Sequence, residues 1–365
     1  MLRVDRRLLQ NVDWQLLAAA VFIMAVGLGC LLSLSLTPGR SSGALLWRQL
    51  SWMGVGFLGL LVVVSIDYRT LVRAAPALYV GGVALLAAVL VLGRTVSGAR
   101  RWLHLGPVSV QPAELFKLAF VLALVWILTA RREAPLPRGA IGVAFLALAL
   151  PFALVARQPD LGTALLLLPV LGAVLVGAGA SLRLLGTLGA VGLAVLPLGW
   201  MFLRPYQRDR LLVYLDPLRD PLGSAYNVIQ AKIAIGSGQL LGKGVTGATQ
   251  SRLAFLPERH TDFIFAVFAE TWGFLGCLLL IGAYAFLVLR GFEIALGTRD
   301  PSGRLLALGI TTAFGVQTLI NLGMVTGLLP IVGIPLPLMS YGGSSMVTSL
   351  VGLGLLLSIR MRQFQ

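Results

Sequence analysis

The sequence predicts an all-α polytopic membrane protein with about ten transmembrane helices and one large structured extracytoplasmic loop between spans 7 and 8. Three observations carry this. The 365 residues are 58% hydrophobic and only 12% charged, with 29 basic and 14 acidic side chains, and a mean hydropathy of +0.90. A soluble globule needs far more charge to face water. Apolar runs of about 20 residues, the length that crosses about 30 Å of hydrocarbon, recur along the chain. The arginines also fall unevenly between the connections.

The runs lie at 14–36, 45–66, 74–93, 112–130, 139–156, 160–180, 184–203, 263–289, 302–327 and 342–359. Arg3, Arg6 and Arg7 precede the first, which no small-residue cleavage pattern follows, so it reads as a retained span. Arg157, Gln158, Pro159 and Asp160 break what is otherwise one long stretch from 139 to 180. Ten spans put both termini on one side. Placing them in the cytoplasm gives that side Arg69, Arg73, Arg131, Arg132, Arg138, Arg183, Arg290, Arg299, Arg304, Arg360 and Arg362 as well, and leaves Arg40, Arg48, Arg94, Arg100, Arg101 and Arg157 in the short outer loops.

The segment 204–262 is then an outer connection, and its length implies function. Ala225 to Ile235 reads as a short half-buried helix, and glycines 236, 238, 242, 244 and 247 as a mobile stretch leading to Asp262. The whole chain, 1–365, reads as one transmembrane domain with 204–262 as a loop within it. Cys30 and Cys277 lie in apolar runs and read as small buried thiols. The formal charge of +15 is spread between spans with no phosphate-tracking block, which argues against a nucleic-acid partner.

Chemistry requires ionisable groups, and those inside spans cost about 2.5 to 3.5 kcal/mol each on insertion scales unless they face protein or a wet cavity. Asp262, in the polar block 257–262, sits where the eighth span begins. There a carboxylate meets the free N–H groups of a helix start, with Arg252 and Arg259 close by in sequence, which favours an ionised, positioned base. Glu114 and Lys117, spaced i, i+3, read as a structural ion pair, as a polar cavity wall, or as both. Asp160 reads as an N-cap or as a cavity residue beside Arg157. Glu270, two helical turns after Asp262, reads as a second cavity carboxylate or as the buried partner of an arginine.

Arg100, Arg101, Trp102 and His104 crowd one short outer loop. Arg101, with Arg208 and Arg210, suits either phosphate oxygens or anionic headgroups. Two distant histidines build no zinc site. A divalent cation, Mg²⁺ or Mn²⁺, held by one or two carboxylates with substrate phosphates leaves no motif, so metal ligands stay unassigned; nothing calls for an organic cofactor. Pro330, Pro335 and Pro337, with Ser340, Tyr341, Ser344 and Ser345, suggest a broken, re-entrant approach to the last span.

Four blocks also carry a likeness: Gln111-Pro-Ala-Glu-Leu-Phe-Lys117, Gln158-Pro-Asp-Leu-Gly-Thr163, Pro257 to Ala266, and Pro335-Leu-Pro-Leu-Met-Ser-Tyr-Gly-Gly-Ser344. In this order they resemble the SEDS family of cell-wall proteins (shape, elongation, division, sporulation), from about residue 13 to 362. The resemblance implies a peptidoglycan glycosyltransferase of the cytoplasmic membrane that extends glycan strands from lipid II at the outer face during cell elongation. It implies importance for Glu114 and Lys117 and draws Asp160 toward the active region. It further implies partnership with a class B penicillin-binding protein and other elongation-machinery proteins. On this reading Asp262 is the general base of an inverting displacement, and Arg101, Arg208 and Arg210 stabilise the departing pyrophosphate. The alternative is a flippase for the same lipid-linked precursor.

Overall fold

The computed structural model describes residues 11–35, 43–96, 99–106, 108–130, 136–202, 205–216, 220, 225–248, 250, 256 and 258–363. Arg3, Arg6, Arg7, Arg40, Arg131, Arg132, Arg204, Arg252 and Pro257 lie outside the described residues. Ten apolar helices account for the ten predicted runs: α1 (Trp14–Ser35), α2 (Gly43–Ser65), α3 (Tyr68–Leu92), α4 (Pro112–Thr129), α5 (Arg138–Arg157), α6 (Leu161–Gly177), α7 (Leu182–Gly199), then α10 (Ile264–Gly297), α11 (Pro301–Thr326) and α12 (Gly343–Met361). Eight of these are long and apolar enough to cross a membrane, while α6 and the apolar part of α7 are shorter. Between α7 and α10 lie α8 (Pro205–Leu215), α9 (Tyr226–Ser237) and a single turn, Gly244–Gly247.

The predicted ends move where polar residues belong to helix. The third run begins at Tyr68 and not at 74, because the side chain of Asp67 accepts from Arg69 N at 2.8 Å and starts the helix within a polar turn. The eighth continues past 289 because Arg290 is paired with Glu293 and, at 2.6 Å, with Asp13. Those partners let charge persist in helix. Both cysteines are free and buried.

The bundle is sorted for lipid. Helix α12 packs chiefly against α2, α3 against α4, and α11 against both α10 and α6. The core runs through Phe116, Phe120, Leu166, Leu171, Leu306, Met346 and Leu353, all buried. Leu58, Leu61, Val91, Leu146 and Leu279 remain exposed. Such a surface would drive aggregation in water and is satisfied among acyl chains.

One element escapes helix-period reading. Segment 94–110 folds as a small antiparallel sheet of order β1 (Arg94–Val96), β2 (Ala99–Leu105), β3 (Val108–Val110), with Arg94 opposite Trp102 and His104 opposite Ser109. Its β2–β3 turn passes through Gly106 at φ 64°. The sheet leads directly into α4 and places Arg101 at the end of the bundle that also carries Asp160 and Asp262.

The glycine-rich stretch after α9 is a docked strap, contrary to the expectation of mobility. Helix α10 is broken at Gly273 (φ 66°, ψ −164°) into a half-helix, 264–272, and a long shaft. At the break Phe274 N and Leu275 N donate to Gln239 O (2.8 Å) and Leu240 O (3.1 Å), and Lys243 N donates to Glu270 O at 3.0 Å. A Cβ on Gly242 (φ 83°) would lie 2.2 Å from Thr271 O, and one on Gly238 would lie 2.1 Å from Ala269 O. Only bare backbone permits this approach.

Candidate active site

Asp262 lies in a turn that precedes the half-helix of α10. Thr261 N and Phe263 N both donate to Glu258 O, at 3.2 and 3.3 Å, and Thr261 Oγ1 donates to Glu258 Oε2 at 3.0 Å. The helix cap falls on Phe263, which makes no side-chain capping bond. Asp262 therefore does not sit on the helix N–H groups, as its sequence position suggests. Its carboxylate lies instead over Gly333 in the non-helical segment between α11 and α12: a Cβ there would be 3.4 Å from Asp262 Oδ2. No donor among the described residues bonds that carboxylate.

This placement reverses the expected electrostatics. The Asp262 carboxyl is pushed up to about 7, chiefly by burial and with help from Glu258 and Asp160, against the pull of Arg101 and Arg210. Desolvation wins because the half-buried carboxylate has given up much of its water without gaining hydrogen bonds from the described residues. His260, next but one in the turn, is lowered by the same burial.

The four sequence blocks converge here. Arg101 donates to Pro159 O, and its Nη1 lies 3.8 Å from Asp160 Oδ1. Asp160 is buried and fills the N-cap role. It caps α6 through Thr163 N (3.3 Å) and accepts from Gln111 Nε2 (2.9 Å). Gln111 N in turn donates to Ser344 Oγ at 2.9 Å. From the last block, Ser340 Oγ donates to Thr261 O (2.7 Å) and Tyr341 N to His260 O (2.9 Å). Arg210 approaches Ile331 O at 3.5 Å and, with Lys232, borders a small pocket lined mostly by apolar groups such as Val213 and Leu329.

Other sequence-stated candidates stand further back. Glu114 and Lys117 form a buried pair at 2.8 Å, and Lys117 Nζ also donates to Gln317 Oε1 at 2.7 Å, so the pair braces α4 against α11. Glu270 is fully buried and accepts from Gln250 N (2.9 Å), with Lys243 Nζ at 3.8 Å. Lys243 belongs to the strap and supplies a cation to Glu270. Arg208 turns back to Met201 O (3.1 Å) and over the Trp200 ring, and is not among the charges that act on Asp262. Sequence reasoning passed over Glu258, Gln49, Gln317 and Asn321. The last three are amides within apolar helices, where a polar side chain needs a partner, and that signal was available.

The sequence model of the FtsW, RodA and SpoVE family, described as cell cycle protein, matches residues 13–365. The chain belongs to that family, the SEDS proteins. Among SEDS relatives, the peptidoglycan glycosyltransferase MrdB of Escherichia coli K12 is 44% identical over 313 residues, spanning 86% of this chain and 84% of that one. A chain of a peptidoglycan synthase complex, solved for the coordination of polymerization and crosslinking, superposes with a TM-score of 0.82 at 37% identity. It covers 97% of this chain and 99% of its own. The rod shape determining protein RodA of Thermus thermophilus gives 0.73 at 33% identity, covering 97% and 98%.

Proposed function

We infer that this SEDS protein is a peptidoglycan glycosyltransferase that elongates glycan strands from lipid II, with Asp262 as general base. The carrying observation is a carboxylate without hydrogen-bond donors among the described residues, raised chiefly by burial to about 7 against the pull of Arg101 and Arg210. A base works best when its pKa lies near the working pH.

The acceptor sugar hydroxyl attacks the anomeric carbon of the chain carried on polyprenyl pyrophosphate. As the new C–O bond forms, Asp262 takes the hydroxyl proton, the old C–O bond breaks, and its electron pair leaves with the pyrophosphate. Direct displacement inverts the anomeric centre. Arg101 and Arg210 stabilise the charge gathering on the leaving group. Arg208, turned toward the end of α7, has a weaker claim to that role. Among the described residues no group of three His, Cys, Asp or Glu side chains is placed to hold a metal ion. A divalent cation held by one or two carboxylates together with the substrate's phosphates needs no such group, and chelation in the assay tests for it.

The chain is a multi-pass membrane protein. We place it in the cytoplasmic membrane with both termini inside, as one unit whose 204–262 segment caps the outer face. Its proposed partners are a class B penicillin-binding protein that cross-links the strand and other elongation-machinery membrane proteins. The flippase alternative lacks support in the geometry, because the converging charged groups gather at one end of the bundle. Purified protein in vesicles with labelled lipid II decides between the two. Label in long glycan supports the polymerase, label that only changes leaflet supports the flippase, and wild-type strand synthesis by a folded Asp262→Asn variant removes Asp262 from the mechanism.

A further inference from the structure

The non-helical segment between α11 and α12 passes through the bundle without a ladder of its own, and prolines 335 and 337 have no N–H to give. At such depth its carbonyls need donors from elsewhere. Side chains supply them in series: Asn321 Nδ2 to Ile334 O (2.7 Å), Gln317 Nε2 to Pro335 O (2.9 Å), Tyr284 OH to Pro337 O (2.6 Å) and Gln49 Nε2 to Ser340 O (3.2 Å).

Asn321 differs from the other three. The same amide nitrogen donates to Asp262 O at 2.9 Å. One fully buried side chain thus joins the backbone of Asp262 to that of Ile334, the neighbour of Gly333 over which the carboxylate lies. Its Oδ1 has no hydrogen-bond partner among the described residues, where the donor end alone is in use.

We propose that Asn321 is the positioning residue for Asp262, holding the backbone at 262 against that at 334 so that the carboxylate stays aimed at the acceptor hydroxyl. The proposal rests on Asp262 being the base. It differs from a general scaffold role, which Tyr284 also fills on the same segment.

The test is steady-state polymerisation of lipid II by Asn321→Leu, a near-isosteric change that removes both donated bonds. Misaiming a base by a fraction of an ångström to 1 Å lowers turnover steeply, so kcat should fall about 10- to 100-fold while KM stays within about twofold. Tyr284→Phe, which deletes only the bond to Pro337 O, should keep kcat within about twofold of wild type. Adding Asn321→Leu to Asp262→Asn should slow the residual rate no further. The proposal is overturned by a rise in KM at constant kcat, by an equal loss in Tyr284→Phe, or by a multiplicative loss in the double variant. Should Asn321→Leu fail to fold, Asn321→Ser, with one shorter donor, is read by the same kcat and KM criteria. Wild-type turnover by Asp262→Asn would instead defeat the base assignment, a separate outcome.

Discussion

Titrating strand synthesis tests the raised carboxyl of Asp262 most directly. A rise from 3.8 to about 7 corresponds to something on the order of 4 kcal/mol set against ionisation in the folded protein, at roughly 1.4 kcal/mol per unit. The base must be ionised to accept a proton. Turnover should thus plateau above pH 8, reach about one tenth of that plateau at pH 6, and about one hundredth at pH 5. The neighbours supply opposite signs. Glu258→Gln removes a charge that raises Asp262, which moves the acid limb to lower pH, whereas Arg210→Gln removes one that lowers it and moves the limb up. The assay is the initial rate of glycan formation from lipid II at constant ionic strength between pH 5 and 8.5. An acid limb near pH 4 in the wild type, or two variants moving it in the same direction, would refute the argument from desolvation.

The same shift has a stability side. A folded-state value above the unfolded one costs stability as pH rises from about 4 to about 7 and leaves the full cost in place above that. Asp262→Asn should therefore melt above wild type at pH 8, with the gap closing toward pH 4, as read by thermal unfolding in detergent. Breaking the buried pair with Lys117→Met should destabilise by about 3 to 5 kcal/mol, because Glu114 is left charged and unpaired, and Glu114→Gln in the same chain should recover part of the loss. Gly242→Ala should lower the melting temperature and open the strap to protease, since its Cβ meets Thr271 O at 2.2 Å; the strain alone is about 1 to 3 kcal/mol. Gly236→Ala, with nothing within 4 Å of the added atom, should be neutral or slightly stabilising.

The spans were legible because lipid imposes a length and a polarity that a linear scan detects, and the four blocks that the fold brings together stood out because each carries polar groups where apolar ones are expected. The state of Asp262 was not legible. A carboxylate just ahead of a helix suggests stabilisation by N–H groups, yet Phe263 occupies the cap and the side chain turns to the Gly333 backbone, 71 residues away in sequence. The sheet at 94–110 was missed because its strands are short and sit among charged residues. The strap glycines were misread because Gly permits both freedom and close approach, and only the backbone of 269–273 decides which. Asn321 went unremarked because one amide in an apolar helix gives no hint of which carbonyl it serves.

The interruption at Gly273 bears on how such an enzyme tolerates its surroundings. An unbroken rod from 264 to 297 would be about 50 Å long, and rocking it by about 10° to match a thicker or thinner bilayer would carry its tip sideways by roughly 4 Å. That is more than sugar chemistry allows. With the ladder cut, the lipid-facing shaft can lean while residues 264–271, all buried in protein, keep their station. With Asp262 as the base, its geometry is in this way insulated from membrane thickness, and turnover should hardly vary between short- and long-chain lipids.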